Sequence, residues 1–273
     1  MNAKQKGIFR SPQRMLPASE TGRIWGDSIS ERLDGARSLS GSMLAAVHED
    51  FCEGCPVAVW PYGSATSINP LLVTLGPSPG RSPDGRVADP AGKPLDLPTA
   101  GVKHPHTAYE DRKRFWCKIR GLASTVIQSD TTSSEDSYAL FGNMNLNPNR
   151  SGRASDVEID PVFGEWVLRT IRDKLRPRFV VCLGLKRKPE AVELLSRVFD
   201  GFDTARPHAQ YPLKCYQERR YVFQEWDCKG PQGNEIKVVL WPQHPSRSPL
   251  TNLEIWRGAC QEFSERHRGL IRP

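Results

Sequence analysis

A histidine stands in a proline-rich loop near the end of the chain. The loop Trp241–Pro249, with the sequence WPQHPSRSP, directly follows the apolar run Ile236–Leu240. A second apolar run, Leu71–Leu75, leads in the same way into Gly76–Gly80, with the sequence GPSPG. Small residues permit a close backbone approach to phosphate, and the imidazole of His244 can donate or accept a proton. Together the two loops predict an enzyme that acts on nucleic acid.

Short apolar runs bounded by turn residues predict the strands of the fold. These runs are Pro70–Leu75, Tyr138–Met144, Arg178–Leu183 and Ile236–Trp241. Helical patterns alternate with them, at Ala108–Ile127, Pro161–Leu175, Pro189–Phe199 and Leu250–His267. Strands that alternate with helices are typical of a parallel sheet covered on both faces. The sequence therefore predicts an α/β fold, a three-layer α/β/α arrangement around a mostly parallel sheet of about four strands.

A turn-rich segment predicts one further strand. Lys229–Asn234 contains two glycines and a proline, and it separates Arg219–Gln224 from Glu235–Trp241. Such a segment is typical of a hairpin, which would add an antiparallel strand beside the last parallel one. Residues 1–55 are predicted to form a basic N-terminal arm with short helices, and residues 56–273 a second unit that carries the site.

The loops after the predicted strands are expected to meet. In an open parallel sheet, ligands bind beyond the carboxyl ends of the strands. Each predicted parallel strand ends in a distinctive loop: Gly76–Gly80, Asn143–Arg150, Gly184–Lys188 and Pro242–Pro249. The sequence thus predicts that four loops surround a single site at one edge of the sheet.

The composition favours a polyanionic partner. The 273 residues include 38 Lys and Arg against 31 Asp and Glu, which gives a net charge of +7. Cationic side chains bind phosphate with release of counterions, so DNA is the expected partner. No apolar run approaches the roughly 18–20 residues that span a bilayer, and no membrane partner is expected. Seven scattered cysteines are typical of reduced thiols, and a cytoplasmic monomer is expected.

Segments of the chain resemble, in order, the motifs of the uracil-DNA glycosylase superfamily. Gly76–Gly80 is similar to the first motif of that family, which activates water, and His244-Pro245-Ser246 matches its His-Pro-Ser motif. Phe141–Arg150 resembles the segment with a base-reading Asn, and Pro177–Gly184 resembles the strand before the last motif in the thermophile-type branch. The likeness covers about residues 65–265. It implies that residues 56–273 are a glycosylase-like catalytic domain.

The resemblance implies a monofunctional DNA glycosylase. Such an enzyme hydrolyses the N-glycosidic bond of a flipped, deaminated or modified pyrimidine and leaves an abasic site. The setting would be repair, or defence against phage with modified DNA. Two alternatives stay open. One is a catalytically silent DNA-binding module on the same fold, and the other is a phosphate-binding enzyme for a small nucleotide.

The resemblance also suggests roles for individual residues. His244 would stabilise the charge on the departing base, and Asn143 would bind the Watson–Crick edge of the pyrimidine, with Asn145 as the competing choice. Ser78 stands where the family carries Asp, Asn or Glu; its hydroxyl can bind a water but is no general base, and Asp84 is the nearest carboxylate. The remaining expected substrate contacts are Gly76, Pro77, Pro79, Gly80, Asn145, Ser246, Arg247 and Ser248.

Further residues are candidates for contacts with DNA. Arg247 would either insert into the gap that a flipped base leaves in the duplex or contact phosphate. Leu250 is the alternative residue for insertion into the gap. The amides of Ser246 and Ser248, near the start of the last helix, and the segment Lys186–Lys188 would hold phosphate. A basic helix faces either DNA or solvent; its cations are Arg112, Lys113, Arg114, Lys118 and Arg120.

A cysteine pair invites a metal hypothesis, which the sequence disfavours. Cys52 and Cys55 resemble the start of the iron–sulfur ligand set in the thermophile-type branch. The third and fourth ligands of that set fall at Asn145–Asn147 and Glu165–Arg169, which contain no cysteine, and Cys117 would need a different geometry. Neither a metal nor a cofactor is expected.

Overall fold

One mostly parallel sheet organises the part of the chain that can be described. The structure, a computed structural model, describes residues 70–77, 114–127, 141–146, 159, 161–216 and 221–271. Six strands form the sheet in the order β2-β1-β3-β6-β5-β4. They are β1 (Leu72–Gly76), β2 (Phe141–Asn145), β3 (Phe179–Cys182), β4 (Ala209–Pro212), β5 (Val222–Lys229) and β6 (Glu235–Leu240).

The pairing directions separate the sheet into two parts. Strands β2, β1, β3 and β6 are parallel neighbours, whereas β5 runs antiparallel to β6, and β4 antiparallel to β5. The prediction of a mixed α/β fold around a mostly parallel sheet is confirmed. The sheet has one strand more than the sequence predicts, because β4 is short, half exposed and ends at Pro212. The predicted hairpin is present, with Gly233 at φ +78° in its turn.

The helices lie close to their predicted positions in the sequence. Helix α1 spans Arg114–Ile127, α2 Pro161–Thr170, α3 Pro189–Val198, α4 Leu253–Arg266 and α5 Arg268–Ile271. A π-helical segment, Ile171–Leu175, continues α2, and a 3-10 turn, Leu185–Arg187, precedes α3. Helix α4 begins later than the predicted Leu250 because Asn252 is its N-cap: the side chain accepts a hydrogen bond of 2.8 Å from the Glu254 amide.

The side chains of the strands alternate between two apolar cores, as the pleat requires. Val73 and Val180 belong to a core that includes residues of α2 and α3. Leu72 and Val181 belong to a core that includes residues of α1 and α4. Each fully buried aliphatic side chain contributes about 1.5–3 kcal/mol relative to exposure. Packing on both faces leaves the carboxyl edge of the sheet as the place where loops can gather around a ligand.

A buried ionic cluster joins the antiparallel strands to the end of α4. Glu225 on β5 is 1% exposed, and its Oε1 lies 2.7 Å from His267 Nε2. The Tyr211 hydroxyl of β4 donates to the same oxygen at 2.5 Å, and Arg266 Nε lies 3.7 Å from Oε2. Burial opposes ionisation of Glu225, but hydrogen bonds and charges, first those of His267, outweigh it and lower its pKa. The cluster therefore holds an ionised carboxylate inside the fold.

Residues 1–69 lie outside the described residues, and so do 78–113. The predicted boundary between residues 55 and 56, the N-terminal arm, Cys52, Cys55 and Asp84 all fall in these ranges. The first part of the predicted helix, Ala108–Lys113, falls there as well. These predictions stay untested.

Candidate active site

The carboxyl ends of the four parallel strands lie at one edge of the sheet, as predicted. Strand pairing continues past the strand ends through backbone hydrogen bonds. The Leu146 amide donates to the Gly76 carbonyl at 2.9 Å, and the Trp241 amide donates to the Cys182 carbonyl at 3.1 Å. The first residues after β1, β2, β3 and β6, which are Pro77, Leu146, Leu183 and Trp241, therefore lie along this one edge.

His244 lies where the loop after β6 meets the loop after β3. Its Nδ1 accepts a hydrogen bond of 3.2 Å from the Ser246 amide. A methyl group on Gly184 would lie 3.0 Å from His244 Cβ and 3.3 Å from its Cδ2, so the side chain packs directly on that glycine. Because Nδ1 accepts, the proton of a neutral ring resides on Nε2.

The environment of His244 disfavours the imidazolium ion. Burial first, and then the positive charges of Arg247 and Lys118, lower its pKa from 6.5 to about 4. The ring is therefore neutral at physiological pH. A neutral imidazole with its proton on Nε2 is a hydrogen-bond donor that needs no prior protonation.

The ends of β1 and β2 pack an amide against a glycine. Asn145 is 8% exposed, and its Oδ1 would lie 2.8 Å from a methyl group on Gly76. A glycine at position 76 thus makes room for the Asn145 amide at the edge. Asn143 stands two residues before Asn145 in β2 and pairs with Thr74. Its side chain lies outside the described residues. Pro77 is buried, whereas Ser78, Pro79 and Gly80 lie outside the described residues.

The loop after β6 differs from its prediction in two respects. Ser246, Arg247 and Ser248 are exposed, but Leu250 is fully buried in the core, so the alternative of Leu250 as a wedge is wrong. Helix α4 starts at Leu253. The amides of Ser246 and Ser248 therefore lie in the loop that leads to the helix, before its N-cap Asn252.

Lys118 is the residue of this site that the sequence misassigned. It is 3% exposed, and its Nζ donates to the carbonyl oxygen of Pro245 at 2.7 Å and to that of Leu250. The prediction that it faces either DNA or solvent is wrong. A signal was present in the sequence: the apolar residues Leu122 and Val126 stand four and eight residues further on, and both are fully buried in the structure. Residues at this spacing share one helix face, which indicates an inward-facing lysine.

Cations dominate the described parts of the edge loops. Residues 183–188 and 241–250 contain Lys186, Arg187, Lys188 and Arg247 but neither Asp nor Glu. Burial, and then the charge of Arg187, lower the pKa of Lys186. An edge with positive charges and no carboxylate in these two loops suits a polyanionic ligand.

No family model, curated protein or solved structure matches the chain. The likeness to uracil-DNA glycosylases therefore rests on the motifs themselves. No helix in the described ranges has the length and apolar character to cross a membrane. Within the same ranges, His, Cys, Asp and Glu side chains form no group of three or more that could hold a metal ion. The Cys117 side chain lies outside the described residues.

A substitution at Gly184 tests the contact with His244. Gly184 has φ +75°, and Gly233 has φ +78° with no atom within 4 Å of an added methyl group. Backbone strain of a non-glycine residue at positive φ costs about 1–3 kcal/mol in either variant. Gly184→Ala is expected to destabilise the fold by more than Gly233→Ala, because its methyl group also meets His244. Urea unfolding of both variants measures the difference, and equal losses would contradict the contact.

Proposed function

We propose that the chain is a DNA glycosylase of the uracil-DNA glycosylase type. It would hydrolyse the N-glycosidic bond of a flipped, deaminated or modified pyrimidine and leave an abasic site. The observation that carries the proposal is the neutral imidazole of His244 at a carboxyl edge rich in cations. The two apolar cores support the finer part of the proposal, a three-layer α/β/α fold.

His244 would assist the departure of the base. When the bond between C1′ and the base nitrogen breaks, its electron pair leaves with the base, which becomes anionic. The Nε2–H of His244 would donate a hydrogen bond to the oxygen where this charge develops. Since the Ser246 amide already occupies Nδ1, the ring is held in the tautomer that this step requires.

Recognition of the base would fall to the carboxyl end of β2. A side-chain amide offers an acceptor and two donors, which match the Watson–Crick edge of a pyrimidine. The Asn145 amide beside Gly76 supports Asn145 in this role, and Asn143 stays the choice that the resemblance suggests. The loop cations Lys186, Arg187 and Arg247 would bind the phosphate groups on either side of the flipped nucleotide. The exposed Ser246 and Ser248 would contribute to the same contacts.

Water addition would complete the reaction. A water oxygen bonds to C1′ as the base leaves, and the water proton passes to the departing base or to solvent. Ser78 would bind this water without acting as a base. The edge segments that the structure describes offer no carboxylate, so the proposal relies on a dissociative transition state in which little assistance from a base is needed.

The same lack of a carboxylate in these segments favours a second candidate function. A protein with phosphate-binding loops and a base pocket, but no group that activates water, would bind DNA without cleaving the glycosidic bond. This candidate is a catalytically silent DNA-binding module. It predicts salt-sensitive DNA binding and no abasic product.

One experiment separates the two candidates. The protein is incubated with single- and double-stranded oligonucleotides that carry uracil, hypoxanthine or hypermodified cytosines, and alkali then cleaves the strand at abasic sites. We expect cleavage at one or more of the pyrimidine lesions and none before alkali treatment. Salt-dependent binding without any abasic product would instead support the binding module. Tight binding of mononucleotides with no affinity for DNA would contradict both.

A further inference from the structure

We propose that Lys118 is a positioning residue that gives the loop 242–250 the shape in which it presents His244. The ammonium group reaches this loop from helix α1 and takes no part in bond cleavage. The part of the proposal that concerns base release rests on the function proposed above. The part that concerns the loop and the imidazole holds for any reaction or ligand at this edge.

The contacts of the ammonium group span the loop. Its Nζ donates to the carbonyls of Pro245 and Leu250, one directly after His244 and the other at the end of the loop. Within the same loop, the Arg247 amide donates to the His244 carbonyl at 2.9 Å. A lysine has three donors on a single atom, so one cation can gather two carbonyls that point to a common centre. The loop is thus folded around the Lys118 ammonium group.

Lys118 is itself firmly held by helix α4. The indole Nε1 of Trp256 donates to the Lys118 carbonyl at 2.9 Å, and about two turns further along, Ser264 Oγ donates to the Thr125 carbonyl at 2.9 Å. The backbone of Lys118 is therefore fixed on α4, and its ammonium group is fixed on the loop. A side chain that is 3% exposed and bound in this way loses little mobility when a ligand arrives.

The same cation acts on the charge state of His244. Burial is the largest cause of the lowered pKa of His244, and the charges that lower it further are Arg247, in its own loop, and Lys118, from α1. The loop after β3, which packs on the ring through Gly184, adds Lys186–Lys188 and no acidic residue. A buried positive charge close to an imidazole favours the neutral ring. Lys118 thus combines a mechanical and an electrostatic role.

Titration of His244 by NMR tests the proposal without any activity measurement. The imidazole signals of the full chain, assigned with a His244→Gln variant, are followed against pH in native protein, Lys118→Met and Lys118→Arg. We expect the titration midpoint of His244 to rise measurably, by less than about one pH unit, in Lys118→Met, because burial and Arg247 still lower it, and to stay near the native value in Lys118→Arg. The matched control is Lys229→Met, which removes an exposed lysine at the distal end of β5 and should leave the midpoint unchanged.

The outcomes decide the proposal in each case. An unchanged His244 midpoint in Lys118→Met would overturn it, as would equal shifts in Lys118→Met and Lys229→Met. If Lys118→Met does not fold, Lys118→Gln takes its place, because glutamine keeps a hydrogen-bond donor without the charge. The His244 midpoint in Lys118→Gln is then compared with that in Lys118→Arg. A Gln variant with the native midpoint would then overturn the proposal.

Base release separates this inference from the proposed function. If native protein releases base, Lys118→Met should lower kcat about 10- to 100-fold with little change in KM, because the imidazole is misplaced. The pH below which base release by Lys118→Met declines should increase together with the titration midpoint of His244. If native protein releases no base from any DNA, the proposed function fails, and the NMR midpoints still decide the role of Lys118.

Discussion

Replacement of His244 by alanine is expected to slow base release about 100- to 1,000-fold, the usual effect of removing one preorganised donor to a developing anion. The change deletes the Nε2–H donor while the rest of the carboxyl edge keeps its cations. DNA affinity should change far less than the rate, since the phosphate contacts belong to other residues. Single-turnover release from an accepted oligonucleotide measures the rate, and a filter-binding titration measures the affinity.

Two controls define the role of His244 further. His208→Ala removes a half-exposed imidazole beside Asp227 on β5 and should leave the rate unchanged. His244→Gln restores a neutral donor and should recover part of the rate. Because the pKa of His244 is lowered to about 4, native activity should fall only as the pH approaches 4, and not near the ordinary value of 6.5. An alanine variant with the native rate on every accepted base would refute the mechanism.

The second large effect concerns stability. Glu225→Gln is expected to lower the free energy of unfolding by about 3 kcal/mol, because it removes a buried charge that accepts from Tyr211 and His267. Urea unfolding at pH 7 measures this loss. The matched control is Glu193→Gln on α3, whose carboxylate forms an exposed i,i+4 pair with Arg197; it should change stability by less than about 0.5 kcal/mol.

The pH dependence of the Glu225 effect has a definite sign. The pKa of this carboxyl is lowered below its ordinary 4.5 in the folded chain, so the unfolded chain binds the proton more readily. The stabilisation is therefore present above pH 4.5 and is lost as the pH falls below it. The difference between native protein and Glu225→Gln should shrink in that range. A difference that grows on acidification would contradict an ionised Glu225.

Local patterns in the sequence predicted most of the described fold. The apolar runs that became β1, β2, β3 and β6 are short and end at turn residues, which is a signal contained within each segment. Strand β4 was missed because its four residues alternate between half-buried and exposed positions and include Pro212. It exists through its antiparallel pairing with β5, which the sequence of the segment alone does not reveal.

The side chains of the site depend on contacts between distant residues, and the sequence predicted them less well. The position of His244 at the edge followed from the strand before it. The partners of Lys118 lie 127 and 132 residues further along the chain, and Glu225 and His267 are 42 residues apart. Contacts of this kind arise from packing of helices on the sheet, so no local pattern specifies them. For Lys118, the spacing from Leu122 and Val126 indicates an inward-facing side chain, but it does not identify the partners.

Helix α4 is fastened at both of its ends by charged groups from other elements. Lys118 binds the Leu250 carbonyl just before the helix begins, and Glu225 binds Arg266 and His267 where it ends. The 14 residues of α4 rise about 21 Å between these two anchors. The neighbouring loop is consequently preorganised. An incoming ligand has few torsions left to freeze there, so differences in affinity among ligands should arise from the quality of their own contacts.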